Sequence, residues 1–256
     1  MLGQAVMRAA GDRAQGLTHA DLDVTDAGAV TQALAGATVI NCAAYTQVDA
    51  AEADPDTAHA VNELGARNVA EAAARVVYVS TDYVFDGKKP SAYVESDPVN
   101  PLSAYGRSKL AGERATLTAS PHSLIVRSAW LFGPGGHNFI TTMLRLAEEQ
   151  ERVNVVDDQV GCPTFTGHLA DALVELAEGS GQGFLHVDGA GACSWYELAR
   201  AIFERAGVDT ELRPCTTEEF PRPAKRPAHS VLASERGAPA LPSWQEGLDA
   251  YLAVRR

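Results

Sequence analysis

Apolar and polar residues alternate along the first half of the chain in two distinct patterns. Segments rich in Ala and Leu carry apolar residues on one face of a helix, and short β-branched runs are typical of buried strands. The predicted helices are residues 4–10, 27–34 and 56–74, and the predicted strands are residues 38–42, 75–80 and 123–127. Buried strands that alternate with helices indicate βαβ units and a parallel sheet.

The second half is more mixed, yet the same periodicities predict further elements. The helices are residues 138–149, 168–178, 194–206 and 244–252, and the strands are residues 153–156 and 183–187. Ser103, shortly after Pro101, is a candidate N-cap for one more helix, and Ser194 is a candidate cap as well. Residues 213–242 are rich in proline and are predicted to be irregular.

Two places depart from what a complete nucleotide-binding sheet requires. The chain begins at residues 1–4 with the start of a helix, where a strand and a Gly-rich turn are expected. The helix predicted to end at Ala74 runs into the strand at Arg75 with no turn residues between them. We therefore expect that segments are missing at both places.

Composition excludes several classes of function. The chain has 256 residues, of which 46% are apolar, enough for one large domain or two intertwined ones. The net charge of −12 disfavours nucleic-acid binding, so an anionic substrate needs a local basic pocket. We find neither an apolar run of the roughly 18 residues that a membrane span needs nor the pattern of a signal peptide. We expect a cytoplasmic protein that binds neither membranes nor nucleic acids.

The cysteines form neither a metal-binding nor a disulfide pattern. Cys42, Cys162, Cys193 and Cys215 include no C-x-x-C pair, and no cluster of His and Cys has zinc spacing. We therefore expect free thiols in a reducing compartment. We also expect no bound metal.

The clearest local signal for chemistry is the pair Tyr105 and Lys109, which forms a Y-x-x-x-K pattern. Four residues along a helix bring both side chains to the same face, one turn apart. A free tyrosine has a pKa of about 10, and a neighbouring ammonium lowers that pKa by favouring the phenolate. Such a pair suits a general acid that protonates a carbonyl oxygen receiving a hydride. An ordinary amphipathic helix surface is the alternative.

A second signal lies directly after the strand predicted at 75–80. In an open α/β sheet, ligands bind at the carboxyl ends of the strands, where Thr81, Asp82 and Tyr83 stand. A hydroxyl at that position can hydrogen-bond a substrate carbonyl. A capped turn after a strand is the alternative.

Several longer stretches resemble the dTDP-4-dehydrorhamnose reductase family of extended short-chain dehydrogenases. They are STDYVFDG at 80–87, NPLSAYGRSKLAGE at 100–113, NCAAYTQVDAAEADP at 41–55, VRSAWLFG at 126–133 and VVDDQVGCPT at 155–164. The likeness covers nearly the whole chain and implies an α/β fold, a Rossmann-like doubly wound parallel sheet with a smaller interleaved substrate domain. In this division residues 1–128 and segments near 153–178 bind the dinucleotide, and residues 129–152 and 179–256 bind the substrate.

The resemblance also implies roles for individual residues. The catalytic residues are expected to be Thr81, Tyr105 and Lys109. The cofactor is expected to contact Gly3, Gln4, Asp23, Val24, Ala43, Ala44 and Tyr45, together with Tyr105 and Lys109. The substrate is expected to contact Asp82, Tyr83, Trp130, Asn138, Phe139 and Gln159. Ordinary structural roles are the alternative for Trp130 and for residues 138–164.

The cofactor expected from the resemblance is NADPH, with NADH as the alternative. Of the glycines with which the family holds a pyrophosphate after its first strand, only Gly3 is matched here. Residues 16–20 are expected to form the tip of the second strand. Thr18 or His19 then stands where a carboxylate would favour NAD, which points to NADPH.

The implied reaction is reduction of the C4 keto group of dTDP-4-dehydro-L-rhamnose to dTDP-L-rhamnose. Thr81 is expected to bind the keto oxygen, Tyr105 to protonate it, and Lys109 to hold the ribose of the cofactor. The alternatives are a sugar-nucleotide epimerase or dehydratase, and a non-catalytic NADP-binding relative such as a methionine adenosyltransferase regulatory subunit. Tyr83 stands where related dehydratases place a Glu, which disfavours dehydration. The oligomeric state is open between monomer and homodimer.

Overall fold

The structure, a computed structural model, describes residues 1–255. Its α-helices are α1 Leu2–Ala10, α2 Ala27–Leu34, α3 Ala50–Ala53, α4 Pro55–His59, α5 Gly65–Ala72, α6 Ala104–Ala119, α7 Phe139–Glu149, α8 Thr166–Glu178, α9 Trp195–Ala206 and α10 Trp244–Arg255. Short 3-10 turns cover Gly11–Arg13 and Asp82–Val84, and a π-helical turn covers Ala60–Leu64. None of the described helices is both long enough and apolar enough to cross a membrane.

The strands form one main sheet and three small pairs. They are β1 Thr38–Asn41, β2 Arg75–Thr81, β3 Leu124–Ser128, β4 Leu131–Phe132, β5 Arg152–Val156, β6 Val160–Gly161, β7 Thr164–Phe165, β8 Gly183–His186, β9 Cys193–Ser194 and β10 Glu211–Cys215. The main sheet has the order β1-β2-β3-β8, and every neighbouring pair in it is parallel. The predicted α/β class with a parallel sheet is thus confirmed.

Strand β2 shows how the sequence builds a sandwich around this sheet. Its side chains alternate between the faces, so that Val77 and Val79 join a cluster with α1 and α8. Val76 and Tyr78 join a cluster with α2 and α5 on the opposite face. Because helices cover both faces, the strand can be apolar along almost its whole length.

A second apolar core forms among α7, α9, α10 and the parallel pair β5–β10. Ile140, Leu198, Ile202 and Leu248 are its most deeply buried aliphatic residues. The cap predicted at Ser194 is present and forms a capping box, since its hydroxyl accepts a hydrogen bond from Glu197 N while the Glu197 carboxylate accepts one from Ser194 N. This smaller core carries residues that reach towards the carboxyl end of β2.

The predicted helix at 56–74 is wrong at its end and in its continuity. It forms α4, the π-helical turn and α5, and it ends at Ala72 rather than at Ala74. Ala73 is extended, and Ala74 N donates to Ala37 O over 2.9 Å, so two residues make the connection to β2. We expected a missing turn at this junction because the predicted helix end was two residues too late.

The strand tip expected at residues 16–20 does not form. Thr18 N and Thr18 Oγ1 donate to the Asp21 carboxylate over 2.8 and 2.6 Å, which closes a turn over Thr18–Asp21. The segment is exposed and polar, so it has no apolar face with which to join the sheet. Thr18 and His19 therefore do not stand at a strand tip, and they give no structural reason to prefer NADPH.

Two further predictions differ from the structure. Residues 213–242 are not irregular throughout, because residues up to Cys215 belong to β10, which pairs with β5. The division into two parts placed β8 with the substrate domain and β5 with the dinucleotide domain. In the structure β8 is the fourth strand of the main sheet, and β5 packs in the second core.

Candidate active site

The carboxyl end of β2 and the first turns of α6 meet at one place. Ser103 caps α6 as predicted, since its Oγ accepts a hydrogen bond from Gly106 N over 3.1 Å. This helix start sets Tyr105 in the first turn and Lys109 one turn later. Both side chains then lie beside Thr81, the last residue of β2. The structure thus brings together the three residues predicted to be catalytic.

Tyr105 is half-buried, in contact with Thr81 and Tyr83. The side chain of Thr81 interacts with the Tyr105 hydroxyl, and the Tyr83 ring meets the Tyr105 ring edge to face with centroids 5.5 Å apart. Burial raises the pKa of Tyr105, and the interaction with Thr81 opposes this rise. The net lowering of this pKa expected from Lys109 is not found, because desolvation dominates. Tyr105 is therefore a protonated hydroxyl, able to donate.

Lys109 is fully buried beneath this site. Its Nζ donates to Val79 O over 2.7 Å and lies 4.0 Å from the centre of the Tyr78 ring. Burial lowers the pKa of Lys109 to about 7, although Glu113 and Cys42 oppose the shift. An ammonium has three N–H donors, so two remain for a ligand that approaches from the site.

Asp82 lies behind Thr81 and is almost completely buried. Thr81 Oγ1 donates to one of its carboxylate oxygens over 3.1 Å, and Ser230 Oγ donates to the other over 2.6 Å. Burial raises the pKa of Asp82 to about 6 against these two hydrogen bonds. In this arrangement the Thr81 hydroxyl proton points to Asp82, and the Thr81 oxygen is left to accept hydrogen bonds.

Tyr83 connects this centre to a cluster of charged residues at its rim. Asp49, from the loop after β1, accepts hydrogen bonds from both Arg222 and Arg226, at distances between 2.7 and 3.0 Å. Burial alone would raise the pKa of Asp49, but Arg226 and Arg222 lower it to about 2. The Arg226 side chain also interacts with Tyr83. In an acidic protein, this group supplies positive charge next to Tyr83, whose ring contacts that of Tyr105.

The loop after β1 is fixed by one buried amide. Asn62 Oδ1 accepts from Tyr45 N over 2.8 Å, and Asn62 Nδ2 donates to Tyr45 O and to Ser108 Oγ. Asn62 lies in the π-helical turn, an irregularity that is frequent at functional sites. It ties the loop of Ala43, Ala44 and Tyr45, predicted to contact the cofactor, to helix α6.

The two predicted contacts on α1 lie close to other parts of the site. A Cβ on Gly3 would meet Cys42 Cβ at 3.9 Å, and the Gln4 side chain lies against Gly135. Helix α1 begins at Leu2, and no side chain among the described residues caps it. Its N-terminal amides therefore point to the region between residues 42 and 135.

Asp23 and Val24 are not part of this cluster. The Asp23 carboxylate accepts from Thr25 N and Thr25 Oγ1, and Val24 packs closely against Gly65 at the start of α5. Both residues lie on the side of the sheet that α2 and α5 cover. Their assignment to the cofactor stays a prediction.

Trp130 packs against the apolar cluster that contains Val84 and Leu110, and it has a strained backbone. Its φ of 47° is in the left-handed region, the only such case among non-glycine residues 1–255. Its indole stacks on Trp195, whose ring is also 4.6 Å from that of Phe139. A Cβ on Gly161 would lie 2.5 Å from Trp130, so only glycine allows this close approach.

Asn138 and Gln159 form hydrogen bonds with other parts of the protein. Asn138 caps α7, and its Nδ2 donates to Gly133 O over 3.0 Å. Gln159 is buried, and its Nε2 donates to Thr217 Oγ1 over 2.9 Å. Their contact with a substrate stays a prediction.

Sequence reasoning missed four residues that complete the site. They are Asn62, Trp195, Arg226 and Ser230. Asn62 and Trp195 had a local signal, because each is an unusual side chain within an otherwise regular predicted helix. Arg226 and Ser230 lie in RPAHSVL at 226–232, a stretch that also resembles the family, but nothing local marked them as site residues, because they reach the site only through the fold.

Comparison with known proteins decides the family. All 256 residues match the family model described as the RmlD substrate binding domain. The chain belongs to the dTDP-4-dehydrorhamnose reductase family. It is 47% identical over 252 residues to the dTDP-4-dehydrorhamnose reductase of Mycolicibacterium smegmatis, which covers 93% of this chain and 77% of that protein.

Solved structures of family members have the same fold. The dTDP-4-dehydrorhamnose reductase of Bacillus anthracis, in complex with NADP, matches with a TM-score of 0.93 and 37% identity, covering 99% of this chain and 95% of that one. The corresponding protein of Clostridium acetobutylicum matches with a TM-score of 0.94 and 39% identity over the same shares. The family and the Rossmann-like fold class inferred from sequence motifs are confirmed.

Proposed function

We propose that this protein reduces the C4 keto group of dTDP-4-dehydro-L-rhamnose to dTDP-L-rhamnose, with NADPH as reductant. One observation carries the proposal: Thr81, Tyr105 and Lys109 meet at the carboxyl end of β2 with Tyr105 protonated and Lys109 buried below it. Relatives that are 47% and 44% identical to this chain are named dTDP-4-dehydrorhamnose reductase. The main sheet would bind the dinucleotide, and the second core with Trp130 would bind the nucleotide sugar.

The residues present fit the nicotinamide ribose of such a cofactor. Lys109 Nζ uses one of its three N–H groups on Val79 O, which leaves two for ribose hydroxyls. The loop of Ala43, Ala44 and Tyr45 lies beside it, held by Asn62. The uncapped start of α1 at Leu2 and Gly3 offers amides suited to a pyrophosphate. When bound, NADPH supplies the hydride that the protein itself lacks.

The protein's own part is to bind the keto oxygen and protonate it. The Thr81 hydroxyl turns its proton from Asp82 to that oxygen, and Tyr105 Oη gives up its proton as the oxygen gains negative charge. A carbonyl oxygen becomes strongly basic as the hydride arrives, so it accepts a proton from an acid whose pKa is high. Lys109, when charged, stabilises the phenolate that Tyr105 becomes.

The same geometry disfavours dehydration. Expelling the neighbouring hydroxyl needs a base that removes a proton from carbon, and Tyr83 stands where such a base is placed in related dehydratases. Burial raises the pKa of Tyr83 to about 12, so that it is not ionised at neutral pH. The site therefore supports hydride addition with protonation of oxygen rather than elimination.

The test is NADPH oxidation by the purified chain with dTDP-4-dehydro-L-rhamnose made in situ. We expect a sugar-dependent loss of the near-ultraviolet absorbance of NADPH, faster with NADPH than with NADH. We expect Tyr105→Phe to lose at least about a thousandfold in kcat and to stay folded, because it removes only the donated proton. Tyr196→Phe, a half-exposed tyrosine on α9, is the matched control and should retain activity.

Two results would contradict the proposal. Full activity of Tyr105→Phe would show that another group donates the proton. A folded wild-type chain that binds NADPH but does not oxidise it with the keto sugar would favour a non-catalytic relative. In that case a binding partner would be the next object of study.

A further inference from the structure

Three charged residues, Lys109, Glu113 and Arg127, are buried together beneath the site, and only Lys109 takes part in the proposed reaction. Glu113 follows Lys109 by one turn on α6, and Arg127 lies on β3. Relative exposure is 2% for Lys109, 0% for Glu113 and 2% for Arg127. Burying charges costs free energy unless each is paired and hydrogen-bonded.

Glu113 is completely satisfied by groups from the two central strands. Arg127 Nε and Nη2 donate to its two carboxylate oxygens, both over 2.8 Å, in a bidentate arrangement. Ser80 Oγ adds a third hydrogen bond over 2.6 Å. One side chain of α6 is thereby fastened to both β2 and β3.

The hydrogen bonds of Glu113 to Ser80 and Arg127 lie close in the fold to the catalytic residues. Ser80 immediately precedes Thr81 on β2, and Val79, one residue earlier, accepts the hydrogen bond of Lys109 Nζ. The position of α6 against β2 determines how Tyr105 faces Thr81. Glu113 fixes that position one turn below Lys109.

The charge of Glu113 also acts on Lys109. Of the two groups that favour the Lys109 ammonium, Glu113 has the stronger effect and Cys42 the weaker. The titratable or charged groups around Lys109 are Tyr105 and Glu113 on α6, Tyr78 on β2, Cys42 after β1 and, bonded to Glu113, Arg127 on β3. Glu113 is the carboxylate in this set.

Stability alone is a weak reason for such a pair. A buried ion pair is often no more stabilising than apolar residues of the same volume, because desolvation offsets the attraction. Here α6 has buried aliphatic neighbours that could fill the space, as Leu110 and Ala115 do elsewhere on the helix. The location beside the lysine therefore points to function.

We propose that Glu113 is a positioning residue that fixes the helix turn carrying Lys109 against the end of β2 and keeps the Lys109 side chain charged. The inference deepens the proposed reductase function, on which it rests for its biological meaning. Glu113 touches neither substrate nor cofactor in this account. It acts through Lys109, whose ammonium holds the ribose and stabilises the tyrosinate.

The direct test follows the titration of Lys109 itself. The chain has four lysines, Lys88, Lys89, Lys109 and Lys225, so ¹³C NMR of labelled side chains resolves few signals, and Lys109→Arg assigns the one of interest. In Glu113→Gln we expect Lys109 to lose its proton at a pH lower by about one unit or more. Thr116→Val, a fully buried change on the same helix, is the control and should leave the titration unchanged.

Glu113→Gln leaves Arg127 without its anion and can unfold the chain. A second variant, Glu113→Gln with Arg127→Met, removes both charges of the pair and should show the same direction of shift. Ser80→Ala keeps both charges and loses only one hydrogen bond, so we expect a smaller shift and a lower kcat. Lys109 titrating at the wild-type pH in all folded variants would overturn the proposal.

NADPH affinity and activity supply an independent readout. NADPH binding and kcat/KM both need a charged Lys109, so both should fall as pH rises. In Glu113→Gln this fall should begin at a lower pH than in wild type. A wild-type chain without turnover would refute the proposed reaction, while the lysine titration would still decide the role of Glu113. A shift in the titration without any change in NADPH affinity would contradict the assigned link to the ribose.

Discussion

The indole rings of Trp130 and Trp195 stack face to face, with centroids 3.5 Å apart and planes inclined by only 2°. Trp130 is the residue with the strained backbone, and Thr164 N donates to its carbonyl over 3.2 Å. Trp195 begins α9, whose Ser194 cap fixes the first turn. The smaller core thus holds the Trp130 ring in place against the cluster that contains Val84 and Leu110, near neighbours in the chain of Thr81 and Lys109.

Removing the Trp195 ring should weaken substrate binding more than it slows the chemistry. We expect Trp195→Ala to raise KM for the nucleotide sugar by about tenfold, because Trp130 loses the surface that orders it. Trp195→Phe keeps an aromatic face and should show a smaller rise. Steady-state kinetics measure both parameters, and a fall in kcat at constant KM would contradict the assignment.

Stability should depend on the ionisation of Asp82. Its pKa is about 6 in the folded protein and near 3.8 without burial, so the folded state binds the proton more tightly. The stabilisation is complete below pH 3.8 and is lost as pH rises through about 6. Asp82→Asn should therefore gain stability relative to wild type between these values, by ~1–3 kcal/mol, in denaturant titrations. If the stability difference between Asp82→Asn and wild type stayed the same from pH 4 to 7, this prediction would be wrong.

The charged cluster at the rim should respond to pH in the opposite sense. Asp49 has a pKa of about 2, below its ordinary value, so its contribution to stability is present above pH 4 and is lost as pH falls towards 2. We expect Arg226→Met to cost more stability than Arg222→Met, because exposed ion pairs contribute little. Side-chain exposure is 17% for Arg226 and 49% for Arg222. Equal losses in thermal unfolding would contradict this ranking.

Asn62 should be important for the fold of the cofactor loop. Asn62→Ala leaves the Tyr45 backbone N–H and C=O without their partner and removes the hydrogen bond to Ser108 Oγ, at a cost of ~2–4 kcal/mol. NADPH affinity should fall with it, since this amide holds the Tyr45 backbone in place. The exposed Asn154→Ala on β5 is the control and should change neither quantity. Normal NADPH binding by a folded Asn62→Ala would separate the loop from the cofactor.

Local sequence patterns were enough to predict the layers of helices and sheet and the Y-x-x-x-K motif. They were not enough to predict the long-range contacts that complete the site. The apolar run of β2 and the Ser103 cap are local features, so Thr81, Tyr105 and Lys109 could be placed from residues close in sequence. The bond from Ser230 to Asp82 spans 148 residues and depends on how a proline-rich segment returns across the sheet. Periodicity contains no information of that kind.

Errors arose where a family pattern was applied to residues that lack its physical basis. Residues 16–20 were expected to form a strand tip, but the Asp21 carboxylate binds Thr18 and makes a turn instead. The pKa of Tyr105 was expected to fall because of Lys109. The depth of burial that outweighs this effect is a property of the packed structure.

Strand β2 has a consequence for the tolerance of the gene to insertions and deletions. Val79, Ser80 and Thr81 are consecutive, and they hold Lys109, Glu113 and the Tyr105 hydroxyl in turn. A shift of one residue in a strand moves every side chain to the opposite face. A single-codon deletion within β2 would thus disconnect all three groups at once, whereas most substitutions would disconnect one. The amino-acid identities in this strand can therefore change during evolution far more readily than its length.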